Sequence, residues 1–168
     1  MKYIYIILFV AIFILFGTEI GYTIDSPLYT HLSYMFQHSS IAHLVINSLS
    51  FIALFRMLER HFNKWILSVL IITSSFIASF TSGYDIPTVG ASAMIYTMIG
   101  LFLGFTSTGY KMKIADTKKY LLFITVIILS LIISFFNSHS NSTLHIYSIM
   151  IGFIISFSWS IINENKLP

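Results

Sequence analysis

Three polar clusters interrupt an otherwise apolar chain, and together they hold what acyl-transfer chemistry needs: a hydroxyl, imidazoles and a side-chain amide. The first runs His38-Ser39-Ser40-Ile41-Ala42-His43-Leu44-Val45-Ile46-Asn47, the second Thr88-Val89-Gly90-Ala91-Ser92-Ala93-Met94-Ile95-Tyr96, and the third is His145 followed by Ser148 and Gly152. A serine becomes a competent nucleophile when a neutral histidine lies within hydrogen-bond reach to take its proton. Ser92 and His145 are the candidate pair.

His43 and Asn47 are four residues apart, one above the other on one helical face. On their own they equally suit the role of interhelical polar glue. A metal is not expected: the spacing differs from His-Glu-x-x-His, and no carboxylate lies nearby to complete a site. Gly90 permits a sharp or positive-φ approach to Ser92, which falls in the first turn of a helix beside unpaired backbone N–H groups. That positive helix end suits a developing oxyanion. The competing reading makes Ser92 an N-cap and nothing more. His145 opens a further helix, where an ionisable residue marks a functional site by default.

The elements that must position these residues follow from composition. Of the 168 residues, 57% are apolar and 9% charged, against about 25% charged in a soluble domain. So few charges cannot cover a soluble surface, and lipid must be the solvent for most of a single domain spanning 1–168. Six apolar stretches follow one another: Ile4–Tyr22, Ile41–Met57, Trp65–Phe80, Ser92–Phe105, Tyr120–Phe136 and Leu144–Ile162. They lack the alternating polarity of membrane strands, so they read as helices. Met1-Lys2 and the apolar run behind it have no small-x-small cleavage site, which makes this segment a retained first helix and not a signal peptide. The absence of cysteine excludes disulfides and thiolate metal sites.

The positions of the charges give an orientation. All nine Lys and Arg fall at Lys2, between spans two and three (Arg56, Arg60, Lys64), between four and five (Lys111, Lys113, Lys118, Lys119), or at Lys166. With six spans these lie on one side, which the positive-inside rule makes cytoplasmic, together with both termini. The net charge of +3 is thereby a membrane signal, and nucleic acid is not an expected partner. The fourth stretch, 14 residues from Ser92 to Phe105, would be only about 21 Å long as a helix. Its start should therefore lie below the external surface, where irregular backbone is tolerated only in protein or beside a wet cavity. Gly100 and Gly104 on this span, and Ser148, Gly152, Ser156 and Ser160 on the last, form small-residue stripes that allow close helix contact. Both of these helices start on the same external side, so Ser92 and His145 share a depth. Trp65 and Trp159 read as interfacial anchors, His31 and His139 as exposed or interfacial, and Asn141-Ser142-Thr143 as a chance glycosylation match.

Together these clusters resemble the rhomboid family of intramembrane serine proteases, over most of the chain. His38 to Asn47 is similar to the family's His-x4-His-x3-Asn signature on the second helix, and Gly90-Ala91-Ser92-Ala93 to its Gly-x-Ser-x nucleophile motif, with Tyr96 following. His145 with Gly152 resembles the pattern of the last helix, and Arg56-Met57-Leu58-Glu59-Arg60-His61-Phe62 the second-to-third helix junction. Ala93 and Ser148 stand where glycines are frequent, Asn63 stands where the junction usually has glycine and tolerates the same left-handed conformation, and the Trp-Arg pair of the first external loop is absent.

The resemblance implies an all-α, six-transmembrane-helix rhomboid-like bundle with both termini inside and a short fourth helix carrying the nucleophile. It implies a Ser92–His145 dyad without a carboxylate or cofactor, and an oxyanion hole from the Ser92 N–H, His43 and Asn47. Tyr96 would pack beside His145, while His38, Gly90 and Gly152 support the site. Substrates would be transmembrane proteins, admitted sideways past the fifth span and the loop 137–141, in what the compact core marks as a bacterial plasma membrane. Two rivals stand beside it. A non-catalytic binder of membrane clients usually lacks the serine or histidine, and a proton-relaying transporter calls for repeats or a mid-membrane acid that are not found.

Overall fold

The computed structural model describes residues 1–17, 21–23, 25–81, 87–108, 125, 132 and 140–163. Among them the chain forms six α-helices: α1 (Lys2–Phe16), α2 (Thr30–Ser33), α3 (Ile41–Leu58), α4 (Lys64–Ser79), α5 (Ser92–Ser107) and α6 (Ser142–Asn163). A 3-10 turn, Tyr34–Phe36, continues α2. The fifth expected span, Tyr120–Phe136, lies outside the described residues except for Thr125 and Ile132, both helical.

The helix starts are written in short polar side chains. Ser40, in extended backbone, accepts the His43 N–H at 3.1 Å and caps α3. Asn63 accepts the Trp65 N–H at 2.9 Å and caps α4. Its φ of −59° corrects the expectation that asparagine serves there for its left-handed tolerance; it serves as an N-cap. The first helix is also shorter than expected. It stops at Phe16 because Gly17, at φ 52°, turns the chain, and the Gln37 side-chain amide donates to the terminal carbonyls of Phe16 and Gly17. Tyr22, expected at the end of that span, instead pairs with Thr88 in an antiparallel bridge.

Burial runs opposite to that of a soluble bundle. α5 is central and buried on all sides, every residue from Ala93 to Phe105 being buried except Leu103. Around it, α1, α3, α4 and α6 turn large apolar side chains outward, among them Ile14, Leu49, Val69 and Ile154. Ser74, Ser75, Thr97, Ser148 and Ser156 lie inside. Apolar surface of that extent needs a non-aqueous solvent. Two described helices, Ile41–Leu58 and Ser142–Ile162, are long and apolar enough to cross a membrane, and α1, α4 and α5 are apolar but shorter.

The most extensive packing is between α5 and α6. The small-residue stripes create it: a Cβ on Gly100 would fall onto the Ile149 carbonyl, one on Gly152 onto the Thr97 carbonyl, and one on Gly104 onto the Ser156 hydroxyl. Ser148 fits the crossing by turning its hydroxyl back to the Leu144 carbonyl at 2.8 Å. On the other flank, Tyr5, Phe9, Phe51 and Phe55 lock α1 to α3 with ring centroids 4.8–6.3 Å apart. The Lys2 ammonium pairs with the Glu59 carboxylate, so the start of α1 and the end of α3 share one end of the bundle.

Candidate active site

The α5–α6 crossing brings two helix starts together, and with them two residues 53 positions apart. Ser92 is the first residue of α5; its N-cap is Ala91, so the serine does not serve as the cap. Its hydroxyl is free to reach across to α6, where Oγ lies 2.9 Å from His145 Nε2. His145 is 7% exposed, and the Tyr96 ring, one turn along α5, packs on it at 4.2 Å between centroids. The phenol thus restrains the plane of the imidazole that faces the serine hydroxyl.

Gly90 forms the wall beside this pair. Its φ of 121° lies where side chains are rarely accommodated. Its N–H donates to the Tyr34 carbonyl at 2.9 Å, and Tyr34 in turn donates its hydroxyl to the Ser75 carbonyl of α4. A Cβ at this position would stand 2.7 Å from His43 Cε1 and Nε2 and 3.1 Å from Asn47 Nδ2. The backbone around Gly90 is therefore in close contact with both side chains that α3 presents.

Those two side chains are poised as donors. The Ser39 N–H and hydroxyl approach His43 Nδ1 at 3.5 and 3.0 Å. A backbone N–H can only donate, so Nδ1 accepts and the proton of the neutral ring sits on Nε2, on the Gly90 side. Asn47 is 6% exposed, and its Nδ2 has no hydrogen-bond partner among the described residues. A buried amide left unsatisfied costs about 1–3 kcal/mol. The first-turn N–H groups of α5 add the positive end of a helix.

Two expected supporting residues stand further back. His38 is fully buried, edge-on to the Phe9 and His43 rings at 5.2 Å, and it backs His43 without touching the serine. Gly152 serves the helix crossing two turns along α6 and does not line the site. His31, expected to be exposed or interfacial, is half-buried: it is stacked between Tyr22 and Phe80, with centroids at 4.8 and 4.3 Å, and bonds to Ser79 at 2.8 Å. In the sequence Asn141 stands in a chance glycosylation match and at the end of the loop 137–141. In the structure it is buried and caps α6. The signal that could have found it is an asparagine directly before a helix start. Among the described residues no group of His, Cys, Asp and Glu could hold a metal.

The wall can be probed directly. Gly90→Ala is expected to destabilise the protein by about 1–3 kcal/mol through its backbone conformation alone. The added methyl must also displace the His43 ring, since the 2.7 Å approach leaves no room. A lowered melting temperature in detergent checks this.

The Rhomboid domain matches residues 25–161. "Putative rhomboid protease YdcA" of Bacillus subtilis (strain 168) is 27% identical over 124 residues, covering 71% of this chain and 61% of that protein. The chain thus spans about three fifths of the length of the curated relative it matches. With the domain match running through most of its length, the chain belongs to the rhomboid family.

Proposed function

We propose that this protein is an intramembrane serine endopeptidase that cleaves transmembrane segments of other proteins with a Ser92–His145 dyad. The observation that carries the reading is the 2.9 Å bond between Ser92 Oγ and His145 Nε2 beside an unpaired, buried Asn47 amide. In this mechanism His145 Nε2 takes the hydroxyl proton as Ser92 Oγ adds to the scissile carbonyl carbon. The resulting oxyanion is received by the Ser92 N–H, His43 Nε2–H and Asn47 Nδ2–H, donors already in place before charge develops. His145 then gives its proton to the leaving amine as the C–N bond breaks. Water, deprotonated by the same nitrogen, attacks the acyl-enzyme and releases the second product, with the proton returning to Ser92.

The rest of the reading rests on the same frame. One domain, 1–168, with six spans and cytoplasmic termini in a cell membrane, accords with the charge distribution and with the Lys2–Glu59 pair at one end of the bundle. Ser92 and His145 would then open their helices from the opposite, external side. At 16 residues α5 is about 24 Å long, short of a hydrocarbon core of about 30 Å, which supports a sunken nucleophile. Lateral access past the fifth span and the loop 137–141 involves mostly residues outside those described.

A tagged fluorophosphonate, applied to detergent-purified protein, tests the dyad. Labelling of the wild type, and of neither Ser92→Ala nor His145→Ala, is expected. A folded wild type that stays unlabelled would replace this reading with a non-catalytic binder of membrane proteins.

A further inference from the structure

The bond between Ser92 and His145 joins two helix starts that are remote in sequence, and both starts must be held in register for the bond to persist. Asn141 lies four residues before His145, and Thr88 four before Ser92. Asn141 is 5% exposed, and its side chain meets Leu144, Thr88 and Tyr22 among the described residues. Its Oδ1 accepts the Leu144 N–H at 3.0 Å, which caps α6. Because a backbone N–H can only donate, the oxygen must be the atom on that side, and the NH2 group faces the other way. There Nδ2 donates to Thr88 Oγ1 at 3.1 Å and to the Tyr22 hydroxyl at 3.2 Å. Thr88 and Tyr22 are themselves paired through both backbone groups, at 2.8 and 3.1 Å. Tyr22 is fully buried, wedged against Tyr34 and His31.

We infer that Asn141 is a positioning residue, a clamp whose carbonyl sets the start of the histidine helix while its amide fastens the segment leading to the serine. The inference rests on the dyad reading above. One planar group holds both sides, so the turn carrying His145 and the strand-like run into Gly90 and Ser92 move together or not at all. A helix N-terminus frays readily when it is held only by its own cap. The Thr88 and Tyr22 contacts add a tie outside the helix. Displacements of about 1 Å at reacting groups cost on the order of a hundredfold in rate. Loss of the tie should therefore appear in catalysis even where the helix itself survives.

The variants separate clamp from cap. Asn141→Ser keeps an N-cap oxygen and loses the reach to Thr88 and Tyr22, whereas Thr88→Val leaves the cap untouched and removes one acceptor at equal size. Tyr22→Phe replaces either variant that fails to fold. Fluorophosphonate labelling of Ser92 is expected to slow by about ten- to a hundredfold in each, with kcat falling in step and KM for a transmembrane substrate unchanged. The Asn141→Ser/Thr88→Val double variant is expected to be no slower than the worse single one, since both break the same link. Labelling within about twofold of wild type in the folded single variants would overturn the clamp, as would losses that simply multiply. Should the wild type itself fail to label, the dyad reading falls, and the melting temperatures of the same four proteins decide the clamp alone. Coupled shifts uphold it and additive shifts overturn it.

Discussion

Ser92→Ala is expected to leave no measurable phosphonylation or substrate turnover, and Asn47→Ala to retain about 10⁻² to 10⁻³ of the wild-type rate. The two differ because the serine supplies the bond that forms, whereas the amide is one of three donors to a charge present only during reaction. Asn47 makes no hydrogen bond through Nδ2 among the described residues. Its loss should thus lower kcat with little change in KM, the pattern of an interaction realised in the transition state. Stability should respond differently. Removing an unsatisfied buried donor relieves about 1–3 kcal/mol of desolvation cost, which offsets the small cavity left by alanine. A melting temperature close to wild type, alongside a loss of rate of about a hundredfold or more, would identify Asn47 as an oxyanion donor. A large drop in melting temperature with a proportionate loss of rate would return it to the role of interhelical glue.

Gly152→Val should lower activity by on the order of a hundredfold by a different route, through the α5–α6 crossing. A Cβ at Gly152 falls onto the Thr97 carbonyl oxygen, a backbone atom that cannot swing aside, and the two valine methyls enlarge the clash. Overpacking a tight core costs about 1–3 kcal/mol and more where backbone must move. The relief available is a shift of α6 away from α5, and His145 lies two turns along the same helix. Displacing it by about 1 Å would reduce the rate by on the order of a hundredfold. The expected result is a lowered melting temperature in detergent together with loss of labelling. Gly152→Ala should show the same signs to a smaller extent. An unchanged melting temperature in the valine variant would mean that the helices cross less closely than this.

Much of this architecture is legible in the amino-acid sequence, for reasons that are local. The shortage of charge and the length of the apolar runs declare lipid as the solvent whatever the tertiary arrangement, and four of the helices lie within two residues of the apolar stretches at each end. His43 and Asn47 share a helical face because of their spacing alone, and small residues at four-residue intervals predict a close crossing because they let two backbones approach. Facing stripes and a common depth point to a meeting of Ser92 and His145; the structure gives it as a bond. Other features have no local signature. Nothing near Gly17 states that Gln37, twenty residues on, will receive the end of α1, or that Tyr22 will leave the first span to pair with Thr88. His31 reads as a loop histidine until Tyr22 and Phe80 close around it. Asn141 reads as a chance glycosylation match at the end of a loop until its amide finds Thr88 and Tyr22. The sequence by itself determined the solvent, the helices and the faces they share, because periodicity and composition act over a few turns of one segment. Which buried polar group meets which was decided only by the tertiary structure, since a hydrogen bond depends on distances between segments far apart in the chain.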